Sequence, residues 1–114
     1  MLASMHTSII TIAADQITDW NSFHSVFRAA LGFPDFYGRN MNAWIDCLTY
    51  LDEGDGMSRF HLAEGEPLRI EVLDAESFRS RLPEIFSALV ESTAYVNSRY
   101  LEAGKQPLLS LVLL

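Results

Sequence analysis

The residues of this chain best suited to chemistry or binding are concentrated in FPDFYGRNMNAWIDCLTYL, residues 33–51. Asn40 is a suitable N-cap for a helix that begins directly after it. At 100° per residue, Asn42, Asp46 and Thr49 lie on one side of that helix, and Asp46 is the only charge among them. A carboxylate on such a face can pair with an Arg or Lys of a partner, or it can be an ordinary solvated residue.

The other side of the same helix has the spacing of a packing surface. The apolar side chains that recur there are Met41, Trp44, Cys47, Leu48 and Leu51. Ile45 lies on the border between the two sides. A solvated helix face usually carries several charges of both signs, whereas this polar face is short and carries one. We therefore interpret it as a contact surface, with an ordinary exposed face as the alternative.

The other reactive side chains do not form a recognisable catalytic or metal-binding pattern. Cys47 is the single cysteine and lies on the packing side, so we expect a small buried residue rather than a nucleophile. His6, His24 and His61 are scattered, and His24 lies beside apolar positions of a predicted helix, which favours a boundary residue. There is no phosphate-binding loop and no pair of catalytic carboxylates. The sequence predicts no catalytic residues, no metal and no cofactor, and therefore not an enzyme.

The charge balance of the chain bears on its partners. Fifteen Asp and Glu against 8 Lys and Arg give a formal net charge of -7. A negative surface repels nucleic acid and most membrane surfaces and attracts basic proteins. We expect a basic protein partner, although many acidic proteins are merely soluble. Asp52, Glu53 and Asp55 follow the helix and either extend this surface or form a solvated loop.

Composition also indicates the compartment and the number of domains. The chain has 114 residues, no apolar run near the roughly 20 residues of a membrane span, and no recognisable secretory signal. One cysteine cannot form an internal disulfide, which is typical of the reducing cytoplasm. We expect a flexible extension over residues 1–7, a single domain over residues 8–114, and a monomer in the free state.

The predicted elements follow the order β-α-α-β-α-β. They are a strand over residues 8–14, a helix from the cap Asp19 to Gly32, a helix over residues 41–51, the strand LRIEVL, a helix over residues 77–103 and the strand in PLLSLVLL. Strands separated by helices pair in parallel, so we predict an α/β fold: a three-stranded parallel sheet covered by helices. The continuously apolar first and last strands predict a sheet that is buried on both faces.

The stretch from Phe33 to Thr49 resembles the signature of the barstar family, small intracellular inhibitors of secreted bacterial ribonucleases. A family sequence reads LPEYYGENLDALWDCLT in the corresponding, ungapped stretch. The identical positions here are Pro34, Tyr37, Gly38, Asn40, Ala43, Asp46, Cys47, Leu48 and Thr49. Outside this stretch the resemblance is in the order of elements, and the loop over residues 52–67 is longer than in the family.

The resemblance implies a mechanism for Asp46. A ribonuclease cleft holds RNA phosphates with Arg, Lys and His, and a carboxylate inserted there takes the place of a phosphate. Asp46 would be this phosphate mimic, and the connection before the helix would supply shape. The residues that the resemblance implies for contact with the partner are Phe36, Tyr37, Gly38, Asn42, Ile45, Asp46 and Thr49.

The departures from the family stretch concern the same surface. Asn42 stands where the family sequence has Asp, Ile45 where it has Trp, and Phe36 where it has Tyr. A further acidic contact of the family falls at about Arg99. We expect weak or no inhibition of the nuclease that the family is known for. The partner is then a different protein, either another basic ribonuclease or a related toxin. The alternative is a protein-binding module with a partner that is not a nuclease.

Overall fold

The computed structural model describes residues 7–52, 58, 60–63 and 65–114. These residues form a three-stranded parallel sheet in the order β1-β2-β3, with four α-helices and a short 3₁₀ turn. The bounds are β1 Ser8–Ala13, the 3₁₀ turn Ala14–Gln16, α1 Trp20–Leu31, α2 Met41–Thr49, β2 Leu68–Leu73, α3 Ala75–Arg81, α4 Pro83–Glu102 and β3 Leu109–Leu113. The predicted α/β fold with a three-stranded parallel sheet is confirmed.

The sheet is buried on one face, not on both. Ile10 pairs with Ile70, which pairs with Leu111, and this face lies against the helices. The alternate residues of β1 point the other way, and Ile9 there is 56% exposed. The prediction of burial on both faces was therefore wrong. An unbroken apolar run satisfies the burial of one face while leaving an isoleucine on the other.

The predicted helix over residues 77–103 is two helices, α3 and α4. They are separated at Leu82, whose φ of -135° and ψ of 62° are not helical. Pro83, the first residue of α4, disfavours the helical conformation in the residue before it and has no N–H to donate. The prediction of a single helix over residues 77–103 was therefore wrong at Pro83, where one helix ends and the next begins.

Helix α1 begins and ends where the sequence predicts. The side chain of Asp19 accepts a hydrogen bond from the Ser22 N–H at 2.8 Å, and the Ser22 hydroxyl accepts one from the Asp19 N–H at 3.0 Å. These two bonds form a capping box. The Asp19 carboxylate also accepts a hydrogen bond from the Ser22 hydroxyl, and the bonds that it accepts from the Ser22 N–H and hydroxyl hold its pKa below the usual value. Gly32 ends the helix with a φ of 62°, in the left-handed region that glycine tolerates best.

Helix α2 lies between the core and solvent as its pattern predicts. Its apolar side packs inward: Trp44 and Leu48 are fully buried, and the ring of Trp44 meets that of Phe27 at 5.6 Å between centroids. Its C-terminal end is joined to α4, because the Tyr100 hydroxyl donates to the Thr49 carbonyl oxygen at 2.7 Å. This hydrogen bond fixes the position of the end of α2 relative to α4.

Two earlier expectations concern chain segments and membranes. Residues 1–6, most of the predicted extension, lie outside the described residues, and the division into an extension and one domain stays a prediction. Among the helices that the structure describes, none is both long and apolar enough to cross a bilayer.

Candidate functional site

Arg39 joins the connection between α1 and α2 to the side of α1. Arg39 has a φ of 53°, an uncommon conformation for a residue with a side chain. Its guanidinium Nη2 donates to the carbonyl oxygen and side-chain oxygen of Asn21, both at 2.7 Å, and to the Ser25 hydroxyl at 2.8 Å. Asn40 then caps α2, accepting from the Ala43 N–H at 2.8 Å. The start of α2 is thus held in place by both its cap and its connection.

Tyr37 supports this connection from beneath. Its side chain is 7% exposed, its ring lies 4.7 Å from that of Phe33, and a hydrogen bond of 2.5 Å joins its hydroxyl to Nδ1 of His24. Burial raises the pKa of the Tyr37 hydroxyl well above its usual value. Burial, and then the charge of Arg39, lowers the pKa of His24. Among the predicted contact residues, Tyr37 is the one whose side chain lies in the core.

His24 was predicted to be a boundary residue, and this was wrong. Its side chain is 2% exposed and packs between the rings of Trp20, Phe23 and Tyr37. The hydrogen bond to Tyr37 satisfies one ring nitrogen, which allows a neutral imidazole to be buried. The sequence pattern could not show this partner, because the two residues belong to different elements.

The other predicted contact residues are exposed or half-buried, and we call them together the α2 face. It comprises Phe36, Gly38, Asn42, Ile45, Asp46 and Thr49. Phe36 is 75% exposed and the side chain of Asp46 is 55% exposed, while Ile45 and Thr49 are half-buried. The Thr49 hydroxyl donates to the carbonyl oxygen of Ile45 at 2.7 Å, which fixes its orientation. Among these residues the structure therefore leaves an aromatic ring, an amide and a carboxylate exposed.

Asp46 has a cationic neighbour on α4 that the sequence analysis did not predict. Nη1 of Arg99 lies 3.7 Å from Oδ1 of Asp46 and donates to the Thr49 hydroxyl oxygen at 3.5 Å. The guanidinium carbon lies 5.4 Å from the centre of the Tyr95 ring, one helical turn before it on α4. Sequence alone places Arg99 on a helix but does not give the register between α2 and α4. The α2 face thus carries an ion pair rather than a single free carboxylate.

Beyond α2, the first residue of the predicted acidic loop faces inward. The side chain of Asp52 is 6% exposed, accepts from the Tyr100 hydroxyl at 2.9 Å and lies 3.7 Å from Nζ of Lys105. Asp52 is therefore neither solvated nor available to a partner, in contrast to both interpretations of the acidic loop. Glu53 and Asp55, the other two acidic residues of that loop, lie outside the described residues.

Cys47 is placed as a small core residue, as predicted. Its side chain is 4% exposed. Burial raises the pKa of its thiol, and the neighbouring Asp46 carboxylate raises it further, although the Ser58 side chain acts in the opposite direction. A buried, protonated thiol is a poor nucleophile. In the part of the chain that the structure describes, no group of three or more His, Cys, Asp or Glu could hold a metal ion.

The chain is a small α/β protein in which α2 carries an exposed polar side and lies beside the long helix α4. The family model described as Barstar (barnase inhibitor) matches residues 7–112, nearly the whole chain. The chain therefore belongs to the barstar family. A comparison with curated proteins found no match.

Proposed function

We propose that this protein is an inhibitor or immunity protein that binds the active site of a basic ribonuclease or related toxin through the α2 face. The observation that carries the proposal is the exposed Asp46 carboxylate on a helix of a barstar-family chain with a net charge of -7. A cleft that binds RNA phosphates offers Arg, Lys and His side chains. Asp46 matches that chemistry because a carboxylate accepts charge-assisted hydrogen bonds from the same groups.

The remaining residues of the α2 face have defined roles in this proposal. Phe36 supplies an aromatic contact, since exposed aromatic rings are frequent anchors at interfaces. Gly38 allows close approach to the connection, Asn42 offers an amide, and Ile45 gives the border of the face an apolar edge. Tyr37 acts indirectly, by supporting the connection that presents Phe36 and Gly38.

The α2 face is also organised before any partner arrives. The Asn40 cap, the hydrogen bonds of Arg39 and the buried Trp44 fix α2, so little ordering is left to occur on binding. A pre-organised surface loses less conformational entropy and binds more tightly for the same contacts. We propose that the protein acts as a monomer in the cytoplasm, on a toxin of the same cell or a neighbouring cell, and not on nucleic acid or membranes.

Inhibition of RNA cleavage tests this proposal. A panel of basic ribonucleases, barnase among them, is assayed with a fluorogenic RNA substrate and increasing amounts of the protein. The proposal predicts that at least one member is inhibited at a 1:1 ratio, that rising RNA concentration weakens the inhibition, and that Asp46→Ala strongly weakens it. Inhibition that is insensitive to RNA concentration, or that Asp46→Ala retains, would show that the active site is not the target.

A second candidate is a protein-binding module whose partner is not a nuclease. It is favoured by Asn42, which is neutral, and by the ion pair between Asp46 and Arg99, which offsets the negative charge of Asp46. Both features weaken the electrostatic attraction between the α2 face and a cationic cleft. Affinity capture with the wild-type protein and with Asp46→Ala distinguishes the two candidates. Recovery of a non-nuclease that the variant fails to bind supports the module, whereas recovery of a nuclease alone contradicts it.

A further inference from the structure

Arg99 lies on the surface that the partner would cover, and it is held there by three neighbours. Its guanidinium meets the Asp46 carboxylate at 3.7 Å and the Thr49 hydroxyl at 3.5 Å, and it lies over the Tyr95 ring at 5.4 Å. Its side chain is 39% exposed and that of Asp46 is 55% exposed. Thr49 and Arg99 also line a shallow cleft between α2 and α4. A partner that reaches Asp46 therefore meets Arg99 as well.

When a partner covers the α2 face, the contribution of this ion pair to the free energy changes. In the free protein, water screens both charges, and the pair contributes little to stability. A partner that excludes water from the α2 face must provide an acceptor for Arg99 or leave Asp46 to satisfy it. If Asp46 stays with Arg99, it is less available to the cations of the partner. If Asp46 turns to those cations, Arg99 is left beside like charges in a desolvated interface, which is unfavourable.

We propose that Arg99 is a specificity-determining residue: by pairing with Asp46 it selects against clefts that offer only cations, and for a partner with a carboxylate beside its cations. Because this concerns the partner of the α2 face, it rests on the proposed function. The aromatic ring of Tyr95 and the Thr49 hydroxyl hold the guanidinium close to Asp46, so the selection is part of the free protein and does not depend on rearrangement.

The test compares Arg99→Gln with the wild-type protein in binding to barnase. Arg99→Gln removes the charge and keeps a polar side chain, and Arg79→Gln on the exposed side of α3 makes the same change in net charge elsewhere. We expect Arg99→Gln to lower the dissociation constant by about tenfold or more and Arg79→Gln to change it by less than about twofold. In the background of Asp46→Ala, the gain from Arg99→Gln should be smaller, because no carboxylate remains to be released and only the repulsion between Arg99 and the cations of the partner is removed.

A second probe separates this inference from the proposed function. The backbone amides of α2 are followed by NMR during titration with a tetra-arginine peptide, which offers cations without a nuclease. We expect the half-saturating peptide concentration to be several-fold lower for Arg99→Gln than for the wild type and for Arg79→Gln. If no variant binds barnase or any other nuclease of the panel but the peptide shows this difference, the nuclease assignment fails and the role of Arg99 stands.

The opposite results overturn the role of Arg99. They are an unchanged or weaker affinity of Arg99→Gln for barnase, an equal gain with and without Asp46, or equal peptide titrations for the wild type and Arg99→Gln. An equal gain from Arg79→Gln would also contradict it, since the effect would then follow net charge alone.

Discussion

At the scale of single residues, Asp46 shows what sequence can and cannot predict. Its type, its family match and its position on the outer side of α2 were all accessible from the stretch around it, because helical periodicity is a local property. Its pairing with Arg99 was not, because it depends on how α2 and α4, which are distant in the sequence, pack together. The same reason hid the hydrogen bond between His24 and Tyr37.

The buried His24 predicts a loss of stability in mild acid. Burial lowers its pKa in the folded protein below the value of about 6.5 expected in the unfolded chain. The unfolded state therefore binds more protons as the pH falls below that value, and the free energy of unfolding must decrease over this range. Urea unfolding at pH 7.5 and pH 5.5 should show a steeper decrease for the wild type than for His24→Gln.

The exposed His61 provides the control for this pH effect. The same two measurements are made on His61→Gln, which removes an imidazole from the surface and not from the core. An equal decrease in the free energy of unfolding for the wild type and His24→Gln would mean that protonation of His24 does not destabilise the folded state. That result would contradict its burial as a neutral group.

At the scale of the elements, boundaries were predicted where a local signal determines them. The Asp19 capping box and Gly32 define α1, and Asn40 defines the start of α2. Pro83 is the local signal for the break between α3 and α4. The apolar pattern continues on both sides of it, however, and therefore predicted a single helix. The open face of the sheet had no signal, because Ile9 in an apolar strand looks the same whether or not a helix covers it.

The cap of α2 should be measurable as stability and as binding. Asn40→Ala removes the side-chain acceptor of the Ala43 N–H and should cost about 1 kcal/mol in the free energy of unfolding. It should also weaken partner binding, since the first turn of α2 presents Asn42. Asn42→Ala is the matched control, because Asn42 is exposed and its loss should change stability by less than about 0.5 kcal/mol. Equal losses for the two variants, measured by urea unfolding, would contradict the capping role.

At the scale of the whole molecule, topology was more predictable than surface. General rules of chain connection predict that strands separated by helices pair in parallel, and the sheet has this pairing. The family model, which matches residues 7–112, supports the same fold. The charge of -7 was also visible in the sequence, but its distribution was not. Asp52 was expected either to extend the acidic surface or to lie in a solvated loop, and it is instead enclosed by Tyr100 and Lys105.

The net charge predicts how fast a basic partner binds. Long-range attraction between an acidic inhibitor and a basic nuclease accelerates association, and salt screens it. Stopped-flow measurement at about 50 mM and about 500 mM NaCl should show the association rate constant falling by about tenfold or more. The dissociation rate constant should change much less. An association rate that is independent of salt would contradict electrostatic steering by this chain.

The measurement that tests the central proposal most directly is calorimetric titration of the protein against the panel of basic ribonucleases. Asp46→Ala is run in parallel, with Asp15→Ala as the control for loss of one exposed carboxylate outside the α2 face. The proposal predicts 1:1 binding to at least one nuclease, weakened by about 2–5 kcal/mol in Asp46→Ala and unchanged in Asp15→Ala. Binding that Asp46→Ala leaves unchanged, or no binding to any member of the panel, would contradict it.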